Sequence, residues 1–198
     1  TQITNQLGDN NSIKDNSSGL VFLMHMNQET SNTSTTFDDS GSGNHGLYGN
    51  ATQGTQPQCG NVSGRFNEGC KFDGYRNFVQ SMESSSIQLT QNFSGSVWFK
   101  RSGGSTADIF NKWRKDNQWG NFGIQILSDG SISLGFRKSA FNYWGKVTGT
   151  LYPDDVWHHV AFNYPGDGTE PTLWVNGVNE TLIDYLELGD ALNGVTDS

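Results

Sequence analysis

Phe122-Gly123-Ile124-Gln125-Ile126-Leu127-Ser128-Asp129-Gly130-Ser131-Ile132-Ser133-Leu134-Gly135-Phe136-Arg137 is the run that decides the fold. Phe122, Ile124 and Ile126 recur at every second position, as do Ile132, Leu134 and Phe136. A period of two puts each set on a single face of a strand. Ser128-Asp129-Gly130 supplies a tight turn between them, so the run predicts a β-hairpin with one buried face.

The pattern repeats outward in both directions. Strand candidates lie at 19–26, 70–72, 77–82, 93–101, 108–113, 122–128, 131–137, 157–164 and 171–175, with a short one within 37–50. Val97 and Phe99 share a face, as do Leu173 and Val175. Asn176-Gly177 is a strong hairpin dipeptide, so a further strand is expected near 178–183. The chain has 25 Gly and only 4 Pro, which suits many tight turns. Helical periodicity is absent, and no apolar run approaches the ~20 residues of a membrane span. The expectation is an all-β, two-sheet antiparallel β-sandwich. Residues 1–18 are polar and read as a leader or linker segment, and 19–198 as the sandwich. The chain begins at Thr1 rather than Met, as after removal of a leader or in a piece of something longer.

Several features point outside the cell. Cys59 and Cys70 flank a Gly-rich turn. A disulfide there would contribute roughly 2–4 kcal/mol, the alternative being two free thiols. Asn-x-Ser/Thr occurs at Asn10, Asn16, Asn32, Asn50, Asn61, Asn92 and Asn179, which suits an N-glycosylated extracellular or cell-surface protein. The alternative is a merely polar surface.

Charge is partitioned along the chain. Residues 1–64 hold one base and five acids, 65–146 hold eleven bases and six acids, and 147–198 hold nine acids and no base. The acidic tail would repel nucleic acid and anionic membranes. The basic middle is read as solvated strand edges, as an anionic-glycan site, or as a face that meets an acidic face on another copy.

Catalytic constellations are missing. No strand carries alternating carboxylates of the kind that retaining glycosidases need ~5–5.5 Å apart. Asp38-Asp39 and Asp154-Asp155 sit in turns, and Asp184, Glu187 and Asp190 are spread out. There is no Gly-x-Ser-x-Gly elbow. His158 and His159 are strand neighbours, point to opposite faces and are read as packing residues; no zinc set is present. The chain is read as not an enzyme.

Two candidate sites remain. Trp113, Trp119, Tyr143 and Trp144, with Lys112 and Arg114, are the candidate glycan-binding residues, and Phe141 to Lys146 the best exposed platform. Trp98, Trp157 and Trp174 lie within strands and are read as structural. Asp38, Asp39 and Asn44 offer hard oxygen ligands for a structural calcium ion. The alternative is an Asx-turn in which Asp39 satisfies loop amides.

The motifs also fall in a recognisable order. Gly19-Leu20-Val21-Phe22-Leu23 is followed by Phe37 to Gly46, Gly69 to Gly74, and Phe93-Ser94-Gly95-Ser96-Val97-Trp98-Phe99-Lys100. Trp157-His158-His159-Val160-Ala161 and Leu173-Trp174-Val175-Asn176-Gly177 come last. Over roughly 19–190 this order resembles the laminin-G-like jelly-roll domains of the concanavalin A-like lectin/glucanase superfamily. The resemblance implies two face-to-face antiparallel sheets, with Trp157 and Val160 plugging the sandwich. It adds weight to calcium, since many such domains bind it.

One departure stands out. Such domains continue into a closing strand with an Ile-Asp-Glu-Val-like motif, and none is visible in Ala191 to Ser198. Chain beyond the given sequence, residues 1–18, or a strand donated by another copy would fill that place. The function expected is a non-catalytic extracellular recognition or adhesion module for a glycan or glycoprotein. The alternative is a self-assembling subunit of a surface layer, filament or virion coat, and a third reading is an accessory domain of a carbohydrate-active enzyme.

Overall fold

The computed structural model describes residues 19–26, 35–49, 54–87, 92–112, 121–139, 142–165 and 169–185. The chain divides into two compact units, residues 1–88 and 89–198. Among the described residues, regular structure in both is β, apart from one short 3-10 turn at Ser85–Ile87.

The first unit contains strands β1 (Thr35–Thr36), β2 (Gly46–Tyr48), β3 (Gln58–Ser63), β4 (Glu68–Lys71) and β5 (Val79–Ser81). They form a three-stranded sheet, β1-β2-β5, and a β3-β4 hairpin. Cys59 and Cys70 are register partners in that hairpin and are joined by a disulfide. Their Cα atoms stand 4.2 Å apart, the close spacing of a non-hydrogen-bonded antiparallel pair. Residues 19–26 form no strand, contrary to expectation. The Leu23 N–H donates to the Asp38 carboxylate and its carbonyl accepts from Asp39 N–H, so this backbone is held by a loop, not a ladder.

The second unit is a two-sheet sandwich. Its strands are β6 (Phe93–Phe99), β7 (Ala107–Lys112), β8 (Asn121–Ile126), β9 (Ile132–Ser139), β10 (Asn142–Thr148), β11 (His158–Tyr164), β12 (Thr172–Val175), β13 (Val178–Asn179) and β14 (Leu182–Asp184). One antiparallel sheet runs β14-β10-β9-β8-β7 and the other β13-β12-β11-β6. The alternating residues of the 122–137 run form the hairpin as expected. Phe122, Ile124 and Ile126 of β8 and Ile132, Leu134 and Phe136 of β9 meet Val160, Phe162, Leu173 and Val175 of the other sheet in one buried core. Phe93, Phe122, Phe136 and Phe162 make stacked, tilted and edge-to-face contacts at 5.1–6.2 Å. Each such ring, fully buried, contributes roughly 1.5–3 kcal/mol from area alone, with ring geometry adding to it.

Gly130 closes the hairpin. Its φ is +95°, and a Cβ there would lie 2.8 Å from the Tyr152 carbonyl oxygen, so the position requires glycine. Asn176-Gly177 also turns as expected, with both φ values positive. The chain after it splits into two short strands: β13 pairs with β12 in one sheet and β14 with β10 in the other. Two further expectations are corrected. Asn142 to Lys146 lies in a strand and not in a loop, paired with β9 along its length and with β14 from Lys146 on, while Phe141 lies outside the described residues. Trp157 precedes β11 half-buried beside the Lys100 ammonium and is not part of the core that Val160 fills.

Candidate functional site

The loop after β1 brings Asp38 and Asn44 together. The Asp38 carboxylate accepts from Leu23 N–H, Ser40 N–H, the Ser40 hydroxyl and Asn44 N–H, at 2.9–3.0 Å. Burial alone would raise its pKa, but these four donors outweigh burial and hold it below 3.8. The Asn44 amide donates to the Val21 carbonyl, and its oxygen accepts from the Ser84 and Ser86 hydroxyls. Asp39 turns away and faces His25 at 3.3 Å. The Asx-turn therefore forms around Asp38 and not Asp39. The oxygens offered as calcium ligands each have a different partner, and those around Asp38 are N–H and O–H donors. Among the described residues, no group of three or more His, Cys, Asp or Glu is placed to hold a metal ion.

Of the candidate glycan residues, Lys112 ends β7, and Tyr143 and Trp144 lie on β10, with Trp144 the register partner of Phe136. Trp113, Arg114 and Trp119 lie outside the described residues, as do Asn10, Asn16, Asn32, Asn50 and the 1–18 segment. Asn61 falls on β3, while Asn92 and Asn179 are exposed.

The tryptophans read as structural occupy a different place. In the β13-β12-β11-β6 sheet, Val97, Phe99, Val160, Phe162, Leu173 and Val175 point inward, so their strand neighbours point outward. Trp98 is the partner of His159 across β6 and β11, and their rings lie 5.0 Å apart. Trp174 on β12 is the partner of Ala161 on one side and Asn179 on the other. Ala161 is in turn level with Ser96. The two indoles thus stand at opposite ends of a diagonal that crosses β11 between His159 and Ala161. Below this row Ser94, Asn163 and Thr172 continue the face, with the Ser94 hydroxyl donating to the Asn163 side-chain oxygen at 2.8 Å.

Trp98 is 37% exposed. Partial burial pushes the His159 pKa below 6.5, so its ring is neutral at pH 7. Among the described residues, no outward position on this sheet carries Asp, Glu, Lys or Arg. The adjacent His158 has another role. It is buried, donates from Nε2 to the Pro153 carbonyl and accepts from the Asn176 amide at Nδ1. Sequence reasoning put the two histidines on opposite faces, which is where they lie. The same alternation was the available signal for Trp98 and Trp174.

Residues 73–186, over half of the chain, match the Laminin_G_3 family, described as the concanavalin A-like lectin/glucanases superfamily. The chain belongs to this superfamily. Among solved structures it is similar to the crystal structure of an S-layer domain-containing protein from Clostridium thermocellum. That similarity has a TM-score of 0.53 and 20% identity, and it covers 89% of this chain and 78% of the other. It concerns the fold. No curated protein matches the chain. The laminin-G-like resemblance and the all-β class read from the sequence are thus correct, and the superfamily's two-sheet core is the one described above.

Proposed function

We propose that this laminin-G-like chain is a non-catalytic recognition module of a cell surface or extracellular matrix, and that it binds glycan through the outward face of the β13-β12-β11-β6 sheet. The observation that carries this reading is the outward Trp98–His159 pair with Trp174 beside it. Indole faces accept the apolar C–H surfaces of sugar rings, while hydroxyls and amides around them meet the sugar hydroxyls.

The acids support the absence of catalysis. Asp38 accepts from loop amides, Asp154 pairs with Arg101, Glu170 and Asp184 pair with Lys146, and Glu180 accepts from the Tyr152 hydroxyl. Each of these acids has a structural partner, and Glu170 and Asp184 share theirs. Superfamily membership and the surface-layer neighbour favour a surface location. Among the described residues no helix is long and apolar enough to cross a membrane. The test is a broad glycan array with the wild type and the Trp98→Ala and Trp174→Ala variants. Wild-type retention that both variants lose is expected; an array with no ligand sinks the reading.

A second reading is a self-assembling subunit of a surface layer. It is favoured by the fold that this chain shares with the S-layer domain-containing protein. Light scattering and electron microscopy of the purified chain address it: ordered multimers support it, and a strict monomer counts against it.

A further inference from the structure

We infer that copies of this chain associate head to tail, the exposed 71–76 loop of one copy docking on the 151–156 loop of another. This goes beyond glycan recognition, rests on the surface-layer reading and gives that reading its two surfaces. Preorganisation and complementarity support it.

The loop that follows β4 holds its side chains out on a fixed backbone. Tyr75 is 81% exposed, the most of any large apolar side chain among the described residues. Asp73 Oδ1 accepts from the N–H groups of Tyr75, Arg76 and Asn77 at 2.8–2.9 Å, and Asn77 Oδ1 accepts from Asp73 N–H. These backbone donors hold the Asp73 carboxyl below its usual 3.8, so it is ionised and turned onto its own loop. The Arg76 guanidinium lies over the Tyr75 ring at 4.9 Å, and exposed Lys71 and Phe72 lead into this knob. Tyr and Arg often dominate the energy of protein contacts, and a preset loop loses little entropy on docking.

The 151–156 loop is also pinned. Tyr152 N–H donates to the Gly130 carbonyl, and Asp155 N–H donates to the Arg101 carbonyl. The Pro153 carbonyl accepts from His158, and Asp154 pairs with Arg101. Held in this way, the loop presents Leu151, Asp155 and Val156 to solvent.

Complementarity follows from which charges are matched. Arg101 and Lys146 have carboxylate partners, and Lys100 rests over the Trp157 ring. Lys71 and Arg76 have no carboxylate partner among the described residues. Of the described acids in 147–198, Asp154, Glu170, Glu180 and Asp184 have side-chain partners, whereas the Asp155 carboxylate has none. Unmatched cations thus stand beside exposed Phe72 and Tyr75, and an unmatched carboxylate stands beside exposed Leu151 and Val156. Docking Phe72 and Tyr75 on Leu151 and Val156, with Arg76 meeting Asp155, serves both loops at once. Asp73 in one loop and Lys100 near the other temper the attraction, but neither forms an ion pair with Arg76 or Asp155. The two surfaces differ, so the contact repeats from copy to copy into rings or open filaments. Loops this short bury less than the ~1,200 Å² of a stable interface, so each contact is weak.

The experiment is sedimentation velocity of the full chain, disulfide intact, from about 10 μM to about 1 mM, the range of a weak interface. The wild-type sedimentation coefficient should rise with concentration and fall back in high salt. Tyr75→Ala and Arg76→Glu, both at exposed positions, should each weaken association roughly tenfold or more with the melting temperature unchanged. Asp155→Asn should weaken it as well, since Asn tolerates the +61° φ at that position while removing the charge. Arg76→Glu and Asp155→Arg should each be monomeric alone and associate when mixed, because the reversed knob of one then faces the reversed loop of the other.

Multimers that persist unchanged in Tyr75→Ala and Arg76→Glu overturn the inference and leave self-assembly standing through another surface. So does a mixture of the two charge-reversed chains, both folded, that stays monomeric. If Asp155→Arg does not fold, association unaffected by Asp155→Asn overturns the pairing in its place. A wild type that is monomeric throughout the range overturns both the inference and the surface-layer reading. Glycan recognition, tested on the array, is untouched by either result.

Discussion

Asp38 is the residue on which the first unit's long loop depends. It is 5% exposed and takes four donors from three separate points of the chain. Asp38→Asn keeps the shape but places an NH2 group against N–H donors, which leaves at least one buried donor unsatisfied. The expected loss is about 1–3 kcal/mol by denaturant unfolding. The pH dependence has a definite sign. The folded pKa lies below 3.8, so the stabilisation is fully present above 3.8 and is lost as pH falls below it, through the folded value. The wild type should therefore lose its advantage over Asp38→Asn on acidification through that window, and an unfolding difference that stays constant down to pH 2 would refute the assignment. Phe37-Asp38-Asp39-Ser40-Gly41 announced an amide-satisfying turn. It did not say which aspartate turns inward, because adjacent carboxylates differ only in the direction that the β1 backbone gives them. Asp39 went outward to His25.

At the scale of elements, alternation carried most of the information. The clean two-residue period of 122–126 and 132–136 placed the core hairpin correctly. Applied to Val97 and Phe99, and to Leu173 and Val175, it also sends Trp98 and Trp174 outward, although a large aromatic within a strand invites a core assignment. Alternation failed where composition hides it. Strand β10 carries Gly145 and the buried Lys146 in place of an apolar period, and its pairing with β9 and β14 is a tertiary fact. Strand β3, Gln58–Ser63, is similarly masked by polar residues, and only its cysteine marked it. That hairpin yields a measurable expectation. Cys59→Ala with Cys70→Ala, or reduction of the native disulfide, should lower the unfolding free energy of the first unit by roughly 2–4 kcal/mol, chiefly by freeing the unfolded chain. Tryptic cleavage within 58–71 should accelerate in parallel. A hairpin equally resistant with and without the bridge would mean that β3 and β4 are held by other contacts.

Across the whole chain, the partition of charge has a local explanation. The basic middle and the acidic tail meet inside the second unit. Arg101 binds Asp154 and also the Leu127 and Ser105 carbonyls, while Lys146 reaches Glu170 at 3.0 Å and Asp184 at 2.7 Å. Opposite charge in distant segments of sequence thus becomes contact within one sandwich at these two clusters. The two clusters should differ in their response to mutation, and burial decides how. The Lys146 side chain is 11% exposed, but its partners Glu170 and Asp184 are 68% and 78% exposed. Lys146→Met removes a nearly buried cation, keeps the stem's packing and returns two carboxylates to water, so its cost should be within about 1 kcal/mol. Arg101 is 8% exposed, and its Asp154 partner is only 28% exposed. Arg101→Met strands a partly buried carboxylate and the Leu127 carbonyl together, and should cost about 2–4 kcal/mol. Chemical unfolding of the two variants at low and high salt measures the contrast. Lys146→Met as damaging as Arg101→Met would mean that the Lys146 cluster closes the sandwich edge rather than neutralising it, and would move β14 from a tethered edge strand to an essential part of the core.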